Sequence, residues 1–261
     1  MALGGGSFVT QNKLIPGSYI NFVSAAKASA VLADRGTVAL PLSLKWGKEG
    51  FTQVTAGEFI SGCREIFGYG YTSGEMKPLR EVFKNAKRAY VYRLGGGTKA
   101  ANDYAEAMYP GTRGNDISVR IEAGQGDYTV SVLLGAATVD RQTVTAASGL
   151  KDNAFVKWKS GSLLAAGTTA LTGGTDTAAT EDNYREFLDK SEEFSFNIMA
   201  CPSAESGIKS LFAAHTKNMR DNCGVKFQTV MYNAEENYEG VINVASTVKE
   251  SGADAFSLVY W

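Results

Sequence analysis

The stretch from residue 194 to residue 246 constrains the fold more than any other. It opens with Phe194-Ser-Phe-Asn-Ile-Met-Ala-Cys-Pro202, an apolar run rich in strand formers and stopped by proline, which predicts a buried strand. A helical pattern follows, with Ser203 or Ser206 as the N-terminal cap and Ile208, Leu211, Phe212, His215 and Met219 on one face. Asn222-Cys-Gly224 ends it, Gly224 being suited to a left-handed cap. Residues 225–232 and 240–245 are further strand patterns, separated by a polar turn over 233–238. Strand, crossover helix and strand make a right-handed βαβ unit with a parallel pair. No catalytic motif lies within it, so the function has to be sought elsewhere in the chain.

Upstream, the same alternation recurs. Residues 37–44 form a strand pattern in which Pro41 predicts an edge or an end. Helical patterns cover 57–67 and 77–86, the second with Leu79, Val82, Phe83 and Ala86 on one face, and the strand Arg88-Ala-Tyr-Val-Tyr-Arg-Leu94 follows. At Gly95 the texture changes. Gly95-Gly-Gly-Thr-Lys-Ala-Ala101 reads as a flexible junction, and 117–121, 128–134, 139–145 and 154–158 read as short strands of an antiparallel module with one wet face. A second soft stretch, 165–176, returns to the α/β part, where Thr180 or Asp182 starts a helix with Tyr184, Phe187 and Leu188 inward.

The fold class is therefore α/β, α+β overall. The expected division is an N-terminal arm (1–24), a split α/β core (25–97 plus 173–261) and an inserted antiparallel β-rich module (98–172). Glycine hinges are expected where the module joins the core, at Gly95, Gly96, Gly97, Gly173 and Gly174. The arm carries a short extended apolar segment, Ile15, Pro16, Gly17, Ser18, Tyr19, Ile20, Asn21, Phe22 and Val23. Such a segment is either an edge strand of its own domain or a strand donated to a neighbour's sheet. The last apolar run, Ala255-Phe-Ser-Leu-Val-Tyr-Trp261, breaks off inside a strand pattern, which points to a fragment of a longer polypeptide.

Composition narrows the function. Lys and Arg number 26 against 27 Asp and Glu, which argues against nucleic-acid binding through a general basic field. No apolar window is long enough for a membrane span, and the first residues do not read as a secretory signal. Cys63, Cys201 and Cys223 are scattered and odd in number, as expected of reduced thiols in a chain made in the cytosol. Gly95-Gly-Gly-Thr-Lys-Ala100 fits a dinucleotide fingerprint, with Asp116 downstream, but β structure follows where a helix should begin at once. A hinge is the better reading, and no cofactor is expected. His215, the only histidine, lies on the apolar face of the helix and reads as a packed or boundary residue, so neither a triad nor a zinc site is expected. The acidic pairs fall at element ends, as solvated groups do. The reading is of a protein that is not an enzyme.

Four stretches, taken in order and spacing, carry a resemblance. They are Pro16-Gly-Ser-Tyr-Ile-Asn-Phe22, Tyr109-Pro-Gly-Thr-Arg-Gly-Asn-Asp-Ile117, Leu171-Thr-Gly-Gly-Thr-Asp176, and Phe196-Asn-Ile-Met-Ala200 with Tyr238-Glu-Gly-Val-Ile-Asn243. Together they resemble the tail sheath proteins of contractile bacteriophage tails, above all sheaths of phages and phage-tail-like particles of Gram-positive bacteria. The resemblance implies an α/β core, an outward β-rich insertion and terminal arms that join subunits by strand donation, residues 15–23 matching the N-terminal arm. It implies a helical homo-oligomer around a tail tube that contracts to drive the tube through a cell envelope. Baseplate and tail terminator are the further partners it implies, in a virion tail or a phage-tail-like particle. The family's C-terminal assembly domain would begin soon after Trp261, so a chain ending there is expected to stay monomeric. A reading of another class, a carbohydrate- or receptor-binding module using aromatics such as Tyr128 or Trp158, would show as glycan binding.

Overall fold

The architecture is that of a computed structural model, which describes residues 36–245 and the short strands Val248–Glu250 and Ala253–Ala255. The arm residues 15–23 and the final run 256–261 lie outside the described residues. In chain order the elements are β1 (Thr37–Ser43), β2 (Gly50–Thr55), α1 (Ala56–Phe67), α2 (Lys77–Val82), β3 (Arg88–Leu94), β4 (Gly96–Thr98), β5 (Ala105–Ala107), β6 (Ile117–Ala123), β7 (Tyr128–Leu134) and β8 (Ala137–Val144). They continue with β9 (Val156–Trp158), β10 (Gly167–Ala170), β11 (Thr175–Thr177), α3 (Glu181–Ser191), β12 (Ile198–Cys201), α4 (Ser206–Asp221), β13 (Gln228–Tyr232), β14 (Val241–Val244), β15 (Val248–Glu250) and β16 (Ala253–Ala255). This is a mixed α+β fold.

A six-stranded sheet runs in the order β14-β13-β12-β1-β3-β2, parallel except for β2. The βαβ unit is present as β12-α4-β13, with Met199 opposite Thr229 and Cys201 opposite Met231. Alternation along the strands sorts the core onto two faces. Val38, Leu40 and Leu42 of β1 join α1 and α2 residues such as Phe59 and Leu79 on one face, while Ala39 joins Phe187, Met199, Phe212 and Met231 under α3 and α4 on the other. A four-stranded antiparallel sheet, β10-β6-β7-β8, stands between β3 and α3 in the chain. Its Val119, Ile121, Val130 and Val132 belong to the same apolar cluster as Val38 and Phe59.

Local chemistry explains the helix ends. Thr55 and Glu58 form a capping box on α1, Glu58 N–H donating to the Thr55 hydroxyl (3.3 Å) and Thr55 N–H to Glu58 Oε2 (2.8 Å). That hydrogen bonding holds the Glu58 carboxyl below its ordinary pKa. Thr180 and Asn183 do the same for α3.

Three expectations are corrected. Pro41 does not mark an edge: β1 lies between β12 and β3, and it tolerates proline because its ladder to β12 involves only Val38 and Ala39. The strand expected over 194–202 is only Ile198–Cys201. Asn197 stands just before it, its N–H bonded to Thr37 O (2.9 Å) and its side-chain Oδ1 accepting from the N–H groups of Gly36 (3.0 Å) and Thr37 (3.1 Å). Phe194 instead packs on Phe51 and Tyr90, with ring centroids 4.8 and 4.9 Å apart. Neither Ser203 nor Ser206 caps α4. Glu205 holds that position without a side-chain bond, and Ser206 is the first helical residue.

His215 sits at the margin of the α4 core, its side chain 10% exposed and 3.9 Å from Glu192. Burial lowers its pKa, and Glu192 and Asp189 only partly oppose this. The folded state therefore resists a proton that the unfolded chain accepts near its ordinary pKa of about 6.5. The stability His215 allows is fully present above that value and is lost as pH falls from it toward the lower folded-state pKa. Replacing His215 by Leu should shrink the drop in Tm between about pH 7.5 and about pH 5.5, measured by circular dichroism. An unchanged drop would assign the acid sensitivity to other groups.

Candidate functional site: the junction between the two sheets

Two of the four stretches noted in the sequence, Tyr109–Ile117 and Leu171–Asp176, meet where the chain leaves β3 and returns to α3. The two connections run side by side as an antiparallel ribbon, Gly96 opposite Thr177, Gly97 opposite Asp176 and Thr98 opposite Thr175. Reciprocal bonds continue it, Ala101 N–H to Thr172 O (2.8 Å) and Thr172 N–H to Ala101 O (3.0 Å). The expected flexible junction is thus a paired one. Gly97 shows why glycine is needed there: its φ is +146°, and a Cβ would stand 1.8 Å from the Thr175 carbonyl oxygen. Gly95, Gly96, Gly173 and Gly174 lie along the same ribbon or beside it, and Gly174 and Asn115 exchange bonds, Asn115 Nδ2 to Gly174 O and Gly174 N–H to Asn115 Oδ1, both 2.9 Å.

The loop carrying Tyr109-Pro-Gly-Thr-Arg-Gly-Asn-Asp-Ile117 is bound to this ribbon from one side and to the core from the other. Thr112 donates its N–H to Asp176 Oδ1 (2.9 Å) and its hydroxyl to Asp176 Oδ2. Arg113 donates Nε to Gly68 O (3.0 Å), pairs with Asp116 (2.8 Å) and lies 4.9 Å from the ring centre of Tyr69. Arg93, at the end of β3 and only 5% exposed, donates to Leu44 O (3.0 Å), Gly47 O (2.8 Å) and Pro110 O (2.9 Å). Burial pulls its pKa down, while Glu49 and Asp176 push it back up. Trp46, in the segment between Leu44 and Gly47 and 1% exposed, meets Tyr109 edge to face at 5.5 Å and stacks on Phe155 at 6.4 Å.

Sequence reading missed Arg93, Thr112, Asn115 and Asp176 as a group. The available signal was Arg93 itself, a charge inside an otherwise apolar strand just before three glycines. The other motifs also have structural roles. Tyr238 donates to Asp221 (2.7 Å), Glu239 pairs with Arg220 (3.1 Å), and Gly240 lies so close to both Tyr238 and Arg220 that a Cβ would meet them at 2.5 and 2.7 Å. Asn243 Oδ1 accepts from Ala234 N–H (2.9 Å), fixing the turn before β14.

The fingerprint-like Gly95–Ala100 stretch contains the strand β4 (Gly96–Thr98) and not the start of a helix. Cys63 and Cys201 are buried, which pushes both thiols up to about 11, and Cys223 is exposed; all three are free. Among the described residues no group of His, Cys, Asp and Glu could hold a metal ion, and no helix is long and apolar enough to cross a membrane.

Comparison with known proteins gives matches over this whole region. The family profile for the N-terminal region of domain III of the tail sheath protein Gp18 matches residues 35–94, that for the phage tail sheath protein beta-sandwich domain matches 95–176, and that for the phage tail sheath protein central domain matches 177–260. The chain is 36% identical to the phage-like element PBSX protein XkdK of Bacillus subtilis and 33% identical to the uncharacterized protein YqbK of the same organism, each over 94% of this chain. It spans 59% of the length of either of these curated relatives. The crystal structure of a sheath tail protein from Desulfitobacterium hafniense superposes with a TM-score of 0.78 at 34% identity, covering 92% of this chain and 59% of that one. A sheath tail protein from Listeria innocua superposes with a TM-score of 0.72 at 34% identity, covering 85% and 53%. With three sheath profiles in unbroken succession from residue 35 to residue 260, the chain belongs to the phage tail sheath protein family, whose members are structural subunits of the tail.

Proposed function

We propose that this sheath subunit polymerises helically around a tail tube and contracts to drive the tube through a cell envelope. The observation that carries this reading is the unbroken run of sheath profiles over residues 35–260. Contacts between different surfaces of identical subunits that do not close on themselves generate helical filaments. Contraction then needs a trapped extended state and a contracted state of lower free energy, with the work supplied by new subunit contacts. No nucleotide or catalytic step enters this scheme, and the role is not enzymatic.

In this reading the arm (1–24) links subunits, with Ile15 to Val23 donated as a strand to a neighbour's sheet. The α/β core (25–97 plus 173–261) forms the packed body, and the β-rich module (98–172) is carried on it. The partners are other sheath subunits, the tube protein, the baseplate and the tail terminator, in a virion tail or a phage-tail-like particle assembled from protein made in the bacterial cytoplasm. Negative-stain electron microscopy of the protein, expressed with the coding sequence that naturally flanks it, tests this. Tubes or short sheath-like polymers are expected, and deletion of residues 1–23 should abolish them. Uniform small particles at high concentration would overturn the reading, and polymers that survive the deletion would overturn the role of the arm.

A further inference from the structure

We propose that the inserted β-rich module is clamped to the core in one orientation, so that the two sheets move as a single body and the glycines between them do not act as hinges. This rests on the geometry of the subunit and holds whether or not it polymerises. Two connecting strands could swing if they were separate and solvated. Here they are hydrogen-bonded to each other from Gly96/Thr177 to Ala101/Thr172. A ribbon still bends across its face unless something braces it. The Thr112–Asn115 loop is the brace: it grips the ribbon through Asp176 and Gly174, and through Arg113 and the carbonyl of Pro110 it is held to Gly68 and Arg93 of the core.

The apolar side agrees. One continuous cluster contains Leu44, Trp46 and Phe67 of the core together with Ala107, Ile117 and Phe155 of the module. Swinging the module would open that cluster to water and strip Arg93 of one of its carbonyl partners, leaving buried polar groups unpaired. Glycine at Gly97 and Gly111 then serves close approach of backbones, since a Cβ would overlap Thr175 O or Lys45 O. Gly95 and Gly174 are crowded in the same way, by Thr177 O and Gly111 O, whereas Gly96 and Gly173 have open space around them and are held by the ribbon itself, Gly96 opposite Thr177 and the Gly173 carbonyl accepting from the Thr98 hydroxyl (2.7 Å).

The test is a spin-label distance measurement on the full chain, with labels on cysteines introduced at the exposed positions Thr143 in β8 and Lys217 in α4. Cys223→Ser removes the exposed thiol, and Cys63 and Cys201 are buried. One narrow distance distribution is expected. In the double variant Asp176→Ala, Asn115→Ala the distribution should widen about twofold or more, as a braced ribbon becomes a bending one. Thr112→Val, which deletes a single hydroxyl, is the milder arm should the double variant not fold, and it should widen the distribution in the same direction. A broad or two-peaked distribution in the unmutated protein overturns the clamp. Variants as narrow as the parent overturn its assignment to these side chains.

Discussion

Replacing Arg93 by Ala should destabilise the protein by roughly 3–5 kcal/mol, the range in which breaking a buried charged hydrogen-bond network falls. The guanidinium is 5% exposed and is bonded to the carbonyls of Leu44, Gly47 and Pro110. Alanine would leave those acceptors without their donor and empty the buried space the side chain fills. Because a bond from a charged donor counts for about 1.5–3 kcal/mol, three losses outweigh the relief of no longer burying a cation. Arg93→Lys should recover only part, as an ammonium cannot reproduce the planar fork that reaches acceptors on separate segments. At about 2–4 °C per kcal/mol for a chain of this size, the Ala variant should lose roughly 10 °C in Tm by differential scanning calorimetry. A loss under about 1 kcal/mol would mean that water satisfies the three carbonyls equally well.

Gly111→Val should cost about as much, for a different reason. Gly111 has φ +128° and ψ 158°, a region essentially reserved for glycine, where strain alone is about 1–3 kcal/mol. A Cβ there would stand 2.1 Å from Lys45 O and 2.7 Å from Lys45 C, both backbone atoms that cannot rotate away. The loop would have to lift off the core, taking the Pro110 carbonyl from Arg93. Urea denaturation should show a marked fall in the midpoint for Gly111→Val. Gly135→Asn is the control: its φ is +60°, no atom lies within 4 Å of a Cβ, and asparagine tolerates that conformation, so the cost should stay below about 1 kcal/mol. Equal effects at the two sites would show that close approach to Lys45 is not what selects glycine at 111.

Much of the α/β part was legible in the chain. The helix over Ser206–Asp221 buries Ile208, Phe212 and Met219 as the 3.6-residue spacing requires, and Gly224 takes the left-handed conformation expected of it. The strand Arg88–Leu94 is found where its apolar run predicted. Thr216 was not legible as a core residue, because a hydroxyl reads as polar until Phe212 O and Thr229 Oγ1 are brought beside it. The strand over 154–158 was legible, but not its partner: β9 pairs with β5 and not with the four-stranded sheet.

What the sequence determined by itself was local: which segments form most of the helices and strands, the βαβ unit, and a set of short motifs that together resemble one family. These follow from side-chain periodicity and backbone preference, which act over a few residues. The tertiary structure alone decided that β1 is central despite Pro41, that the glycine connections pair with each other, and that Arg93 finds its carbonyls at positions 44, 47 and 110. A buried charge or a left-handed glycine states only that some partner or some close neighbour is required. Which one answers is set by strand order, and strand order is chosen by the burial of the whole apolar cluster and not by any one segment.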